Sequence, residues 1–187
     1  ATDSPPAPDR LAPAPGLATD NPEPSTIRLV DDAGVAVELD GAPQRIVSLV
    51  PSATGILLAL GQRDRLVGRT DYDLAPEVVD VPTVGGGLGA SIERIVALQP
   101  DVVVHFRADS DPGTPRQLDA AGIRHVAIRP DRIEDVRRIV GLLGAMVGET
   151  VRADSILATL DAELRAVSAH VDGAARPRVV LVGGDPP

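Results

Sequence analysis

Residues 91–106 read SIERIVALQPDVVVHF and contain the pattern of one helix followed by one strand. Ser91 is a favourable N-cap, and the residues after it predict a helix over Ile92 to Leu98 that Pro100 ends. The continuous run from Asp101 to Phe106 is rich in β-branched residues, which is typical of a parallel strand covered on both faces. This stretch therefore predicts that helices and strands alternate around a buried sheet.

The residues before this stretch extend the alternation toward the N-terminus. Two short strand-like runs, Ile27–Val30 and Val35–Leu39, flank an Asp-Asp-Ala-Gly turn and predict a β-hairpin. After the hairpin we expect a buried strand over 45–50, a helix over 53–60 with Ser52 as N-cap and Gly61 as its stop, and a strand over 66–70.

The residues after it continue in the same way. They predict a helix from a capping box at 114–117 to Gly122, a strand over 123–128, a helix from a second capping box at 131–134 to Val147, and a long helix over 150–171. Arg178 to Val182 then predicts a strand without a following crossover, which is an incomplete parallel unit. We therefore expect an α/β fold with a Rossmann-like, mainly parallel sheet flanked by helices, followed by a truncated second lobe.

Charge and composition limit the classes of partner. The formal charge is -9, lysine is absent and no concentrated basic patch occurs, so nucleic acid is not an expected partner. The absence of cysteine excludes disulfides and thiolate chemistry. Residues 1–25 are rich in Pro and Ala and predict a disordered tether, either a plain linker or a spacer from a membrane anchor.

Ligands of open α/β sheets sit beyond the carboxyl ends of the strands, and the loops there predict the ligand site. The candidate ligand-binding residues in these loops are Pro51, Ser52, Tyr72, Gly86, Gly87, Phe106 and Arg107. Tyr72 and Phe106 are the only aromatic residues and predict a flat, largely apolar ligand surface, with Arg107 beside them for an anionic group. Two alternatives stay open: Phe106 could belong to the core, and Tyr72 could cap a loop through its hydroxyl.

The sequence offers little for catalysis. Gly85 to Ala90 loosely matches a dinucleotide fingerprint, but that fingerprint belongs in the first strand-to-helix turn, which here reads Pro-Ser-Ala. Ser52 lacks a G-x-S-x-G elbow, and the three histidines are scattered. His105 could bind a metal, although a histidine ending an apolar strand is more often structural. We expect no catalytic residue, no metal site and no cofactor.

Four segments together carry a family resemblance: RIVSLVPSAT at 45–54, LVGRTDY at 66–72, TVGG at 83–86 and SIERIVALQPDVV at 91–103. In order and spacing they resemble the cobalamin, siderophore and heme class of periplasmic substrate-binding proteins of ABC importers. The resemblance implies no enzymatic activity, an extracytoplasmic location, periplasmic or tethered to the membrane as a lipoprotein, and a metal chelate clamped between two lobes. It implies a tether (1–25), an N-terminal α/β lobe (26–148), a long interlobe helix (149–172) and the first strand of an incomplete C-terminal lobe (173–187).

The resemblance also implies roles for single residues. Glu93 matches a first-lobe position that docks to arginines of an ABC permease at the membrane; from the residues alone it is a favourable acid at a helix N-terminus. Tyr72 matches a ligand-facing aromatic of cobalamin-type members. Gly55 stands where Glu is common, and Gly87 stands where some cobalamin binders carry Trp. The implied cargo is cobalamin or a ferric siderophore, with heme less favoured. The alternatives are a half-receptor that only docks partners and a Rossmann-like nucleotide-dependent enzyme.

Overall fold

The first two strands form an antiparallel hairpin that docks on the edge of the main sheet. The computed structural model describes residues 26–86, 89–107, 113–175 and 177–180. Strands β1 (Ile27–Val30) and β2 (Ala36–Leu39) pair as predicted. The buried Asp31 carboxylate accepts hydrogen bonds from the N–H groups of Ala33 and Val35 at 2.9 Å and of Ala127 at 3.0 Å. These bonds offset the cost of burying a polar group and fix the hairpin to the sheet.

Four parallel strands form the main sheet. They are β3 (Ile46–Ser48), β4 (Leu66–Gly68), β5 (Val102–Phe106) and β6 (His125–Ile128), in the spatial order β4-β3-β5-β6. All three neighbouring pairs are parallel, which confirms the predicted α/β fold. Strand order reverses between β3 and β5, and such a switch point is where open α/β sheets bind their ligands.

Helices cover both faces of this sheet. They are α1 (Pro51–Ala59), α2 (Ile92–Ala97), α3 (Gly113–Ala120), α4 (Ile133–Val147) and α5 (Thr150–Val171), with short 3-10 turns at Arg63–Arg65 and Pro76–Val78. Successive side chains of a strand point to opposite faces. Val102 and Val104 therefore pack with α1 and α4, while Val103 packs with α2 and α3. Burial on both faces explains why β5 is apolar without interruption.

The first helix begins two residues earlier than predicted. Val50 is the N-cap of α1, Pro51 is its first residue, and no side chain caps it, so the predicted cap at Ser52 is wrong. Proline suits this position because its φ is fixed and it has no N–H to satisfy. The predicted stop is confirmed: Gly61 follows α1 with a φ of 79°. The predicted cap of α2 is also confirmed, since the Ser91 hydroxyl accepts a hydrogen bond from a backbone N–H.

Neither predicted capping box forms at the predicted residues. Helix α3 already begins at Gly113, so Thr114 lies inside the helix rather than at its cap. At the start of α4 the predicted box at 131–134 is wrong by one residue. There the Asp135 carboxylate accepts a hydrogen bond from the Arg132 N–H at 2.9 Å. Glu134 and Asp135 are both candidates for this hydrogen bond, and the residue at which the helix begins determines which carboxylate reaches the Arg132 N–H.

The long helix α5 has the predicted bounds and packs against α4. A Cβ atom on Gly144 of α4 would lie 2.5 Å from the Cβ of Ala153, so the glycine permits the close approach. Farther along, the Arg137 guanidinium donates to Asp161 through Nε at 3.0 Å and Nη2 at 2.6 Å. Ala153 is the one fully buried residue of α5, and the last turns of the helix are exposed.

The predicted last strand is not formed where the structure describes it. Arg178, Val179 and Val180 are exposed and make no strand pairing, so the prediction is wrong for these residues. An isolated strand leaves its backbone hydrogen-bonding groups without protein partners, so it needs a neighbour to form. Leu181 and Val182 lie outside the described residues, as does the predicted tether at 1–25. Within the described part of the chain, no helix has the length and apolar character needed to cross a membrane.

Replacing Gly144 with alanine should destabilise the protein by about 1–3 kcal/mol, because the added methyl group overpacks the contact with Ala153. The matched control is Gly141→Ala on the exposed face of the same helix, where a Cβ meets nothing within 4 Å. That change should stabilise the protein by about 0.5–1 kcal/mol through helix propensity. Urea unfolding followed by circular dichroism measures both. Equal effects would contradict the close packing of α4 on α5.

Candidate functional site

An open cavity lies at the switch point between β3 and β5. Its volume is about 490 Å³, and its walls come from the segment after β3, the loop after β4 with its glycine run, and the last residue of β5. The lining residues are Leu49, Val50, Pro51, Tyr72, Gly86, Gly89 and Phe106. Four predicted site residues, Pro51, Tyr72, Gly86 and Phe106, are thus brought together. The sequence reasoning did not single out Leu49 and Val50, which it placed at the end of the strand over 45–50, or Gly89, which lies in the glycine run.

The two aromatic side chains stand at the mouth of this cavity and face solvent. Tyr72 is 69% exposed and Phe106 is 37% exposed. The alternative that Phe106 is a core residue is therefore wrong. The Tyr72 hydroxyl has no hydrogen-bond partner among the described residues, so it does not cap the loop. The protein gives up the free energy that burying Tyr72 and Phe106 would contribute. Exposed aromatic rings of this kind are typical of a surface that a ligand covers.

Gly86 provides the surface on which the Tyr72 ring lies. A Cβ atom at Gly86 would stand 3.3 Å from both Cε2 and the hydroxyl oxygen of Tyr72. The next loop residues are closed by backbone hydrogen bonds: the Asp71 N–H donates to the Gly85 carbonyl at 3.1 Å, and the Gly89 N–H donates to the Gly86 carbonyl at 3.0 Å. Gly85 has a φ of 104°, which favours glycine. The glycine run thus brings bare backbone against the aromatic ring.

The other predicted ligand residues do not line the cavity. Ser52 is exposed in the first turn of α1. Arg107 points toward the hairpin, where its Nη1 donates to the Asp32 carbonyl at 2.7 Å, and it lines a separate polar cavity with Arg129 and Arg138. Gly87 lies outside the described residues. A ligand-binding role for these three residues stays a prediction.

His105 has both ring nitrogens engaged. Its Nδ1 lies 3.0 Å from the Phe106 carbonyl oxygen, and its Nε2 lies 3.0 Å from Nδ1 of His125. The other nitrogen of His125 lies 3.2 Å from the Asp119 carboxylate. No cluster of three side chains in the described segments is arranged to hold a metal ion. These contacts agree with the structural interpretation of His105.

Glu93 presents an exposed carboxylate on the first turn of α2. Its own backbone N–H, and then the Ser91 hydroxyl at 2.9 Å, hold the pKa of the Glu93 carboxyl below its usual value. A lowered pKa keeps the group charged at neutral and mildly acidic pH. The carboxylate borders a shallow groove between α2 and α3 that Gln117, Ala120 and Ala121 also line. Glu93 thus places a negative charge on an open surface beside α2.

The fold and the cavity together define a binding lobe of the α/β class with its ligand crevice at a switch point. The family profile described as periplasmic binding protein matches residues 46–187, and the chain belongs to this family. Membership agrees with the prediction of a binding protein rather than an enzyme. The family's description places its members in the periplasm, in agreement with the predicted extracytoplasmic location.

Individual relatives support the same class. The chain is 32% identical to the vitamin B12-binding protein of Salmonella typhimurium over 144 residues, which are 76% of this chain and 53% of that protein. It is 29% identical to an ABC transporter substrate-binding lipoprotein of Bacillus subtilis over 140 residues, 73% of this chain and 45% of that one. A periplasmic heme-binding protein from Pseudomonas aeruginosa is similar in structure with a TM-score of 0.65 at 28% identity, covering 71% of this chain and 48% of that chain. The chain spans about half the length of these relatives.

Replacing Ser91 with alanine should raise the pKa of Glu93 toward the ordinary glutamate value, because one of the two hydrogen bonds to its carboxylate is lost. Ser91→Thr retains the hydroxyl and serves as the control. An NMR titration of the Glu93 side-chain carboxyl carbon measures the change. The sign follows from the lowered pKa in the folded protein: the hydrogen bonds favour the charged form, and they are lost as pH falls through that pKa. An unchanged pKa in Ser91→Ala would contradict the assignment.

Proposed function

We propose that this protein is the extracytoplasmic substrate-binding component of an ABC importer that takes up a metal chelate. The single observation that carries the proposal is the open apolar cavity at the switch point, with both aromatic side chains of the chain exposed at its mouth. A large ligand with apolar faces can cover such rings and recover their burial free energy. The role of the family and the names of the relatives favour import over other binding functions.

Cobalamin or a ferric siderophore is the proposed cargo, and heme is less favoured. Identity of 32% to a vitamin B12-binding protein supports cobalamin. The cavity supports a chelate of any of the three kinds, because its lining is mainly apolar and contains no carboxylate or histidine among the described residues. Direct metal ligation by the protein is therefore not the proposed mode of binding. Contact would be made with the organic surface that surrounds the metal.

The long helix α5 is proposed to join two lobes. Its 22 residues form a rod of about 33 Å. In this proposal residues 26–148 are the first lobe, 149–172 the connecting helix, and 173–187 the beginning of a second lobe. The exposed apolar residues Val167 and Val171 near the end of α5 would then pack against that lobe. The cavity at the switch point would face it and be closed by it.

Glu93 is proposed to dock the protein to its membrane permease. The carboxylate is exposed, its pKa is held low by the local backbone N–H and by Ser91, and it forms no ion pair among the described residues. An exposed fixed charge of this kind contributes to orientation and association rate with a basic partner surface. A nucleotide-dependent enzyme is not favoured, because α1 follows β3 without the glycines that a phosphate requires.

Replacing Phe106 with leucine should weaken chelate binding by about three- to tenfold, because leucine retains apolar volume but lacks the aromatic face. Val151→Ala, a change at an exposed apolar residue on α5, is the control and should leave binding unchanged; both changes are made in a chain extended through a second lobe. Calorimetric titration with cyanocobalamin, hemin and a ferric hydroxamate siderophore measures the affinities. Quenching of tyrosine emission provides a second signal, because Tyr72 is the only tyrosine and tryptophan is absent.

The same titrations are made on this chain and on a chain extended through a second lobe. Binding by the extended chain, with weak or no binding by this one, is the expected result, because one lobe covers only one side of the ligand. If neither chain binds any of the three chelates, the importer proposal is wrong.

Replacing Glu93 with glutamine should reduce the affinity for the cognate permease in lipid nanodiscs by about tenfold, because an interfacial charge is lost. Glu163→Gln, which removes an exposed carboxylate from α5, is the matched control and should have little effect. Surface plasmon resonance at two salt concentrations measures both. The effect of Glu93→Gln should shrink as salt is raised. A similar loss in both variants would point to net charge rather than to docking at Glu93.

A further inference from the structure

The ring of Tyr72 is presented by a four-residue turn, Thr70–Asp73, called here the Tyr72 turn. The Asp73 N–H donates to the Thr70 carbonyl at 3.3 Å and closes it. The buried Asp73 carboxylate accepts from both the N–H and the hydroxyl of Thr70 at 3.2 Å. The Thr70 hydroxyl oxygen in turn accepts from the Tyr72 N–H at 3.2 Å. Side chains within the turn thus fix the backbone that carries the ring.

One guanidinium group holds both ends of this turn. Nη1 of Arg69 donates to the Thr70 carbonyl at 3.2 Å and to the Asp73 carbonyl at 2.8 Å. The same side chain reaches the far part of the loop, where Nε donates to the carbonyls of Val78 at 2.7 Å and Val81 at 3.0 Å, and Nη2 donates to Val79 at 3.2 Å. A planar group with several donors in a rigid fork can make such a set of bonds, whereas an ammonium group cannot.

The main chain of Arg69 closes the base of the same loop. Its N–H donates to the Pro82 carbonyl at 3.0 Å, and its carbonyl accepts from Val84 at 2.9 Å. Buried Val78 and Val81 anchor the far part of the loop in the core, whereas Leu74, next to the Tyr72 turn, is 85% exposed. Apolar burial therefore contributes little beside the turn itself, where the hydrogen bonds that converge on Arg69 hold the backbone.

We infer that Arg69 is a positioning residue for ligand binding, which holds the Tyr72 turn so that the tyrosine ring lies over Gly86 at the cavity mouth. The inference rests on the proposed function in one respect, the contact of Tyr72 with ligand. A ring that is ordered before the ligand arrives loses less conformational entropy on binding, and affinity rises accordingly. Arg69 itself does not line the cavity.

The test replaces Arg69 with lysine, which preserves the charge but not the fork. Because Tyr72 is the only tyrosine and no tryptophan is present, tyrosine emission reports on this one ring. Time-resolved anisotropy should show the amplitude of the fast, local motion increase by about twofold. Arg65→Lys is the matched control: Arg65 is also half-buried and donates to backbone carbonyls, those of Pro43 and Val147, far from the cavity. Its urea midpoint should fall comparably, with unchanged Tyr72 motion.

A second variant decides the matter if Arg69→Lys does not fold. Thr70→Val keeps the shape of a fully buried side chain but removes the acceptor of the Tyr72 N–H, and should produce the same gain in local motion. Local motion equal to that of the original chain in either folded variant overturns the inference. Cyanocobalamin affinity, measured in parallel with both changes made in the chain extended through a second lobe, should fall by about tenfold in Arg69→Lys and not in Arg65→Lys. If neither the original chain nor the chain extended through a second lobe binds a chelate while the anisotropy changes as expected, the proposed function fails and the positioning of Tyr72 by Arg69 stands.

Discussion

The parallel pairing of β3 with β5 is the constraint on which the rest of the structure depends. β3 is followed by α1 on one face of the sheet, and β5 is followed by α3 on the other, so the two connections diverge and leave a crevice between them. The register places Ser48 beside Val104, so that Leu49 and Phe106 reach the same edge of the sheet. The cavity is thus a consequence of strand order, and the side chains of the loops only decide what it can hold.

The sequence was sufficient for the parts of the fold that local patterns dictate. Apolar patterns identified the hairpin, the four parallel strands and the long helix, because the strands are short runs rich in β-branched residues and the helix has apolar residues at three- and four-residue spacing. It was insufficient for helix starts such as Ser52, where proline competes with a capping side chain. It also failed at Arg178, where a strand depends on a neighbour that local sequence does not describe.

For the candidate site, strand ends and topology were enough to bring Tyr72, Gly86 and Phe106 together. They were not enough for Arg107, because a flexible arginine side chain follows its nearest acceptor, and here that acceptor is a carbonyl of the hairpin turn. Arg69 was missed for a related reason. Its partners are backbone carbonyls of a loop without regular structure, and no pattern of residue types marks them. The Thr70 and Asp73 spacing was the available signal, since such pairs often stabilise turns.

Arginine side chains that donate to backbone carbonyls recur throughout the molecule. Besides Arg69, three arginines donate to carbonyls at the C-terminal ends of helices: Arg45 at α2, Arg65 at α4 and Arg152 at α1. These contacts to neutral carbonyls are hydrogen bonds rather than ion pairs, whereas other arginines pair with carboxylates, as Arg137 does with Asp161. Salt screens the attraction between exposed opposite charges, but it acts less on a hydrogen bond to a neutral carbonyl. The arginine contacts at the helix ends should therefore persist at ionic strengths that weaken the surface ion pairs.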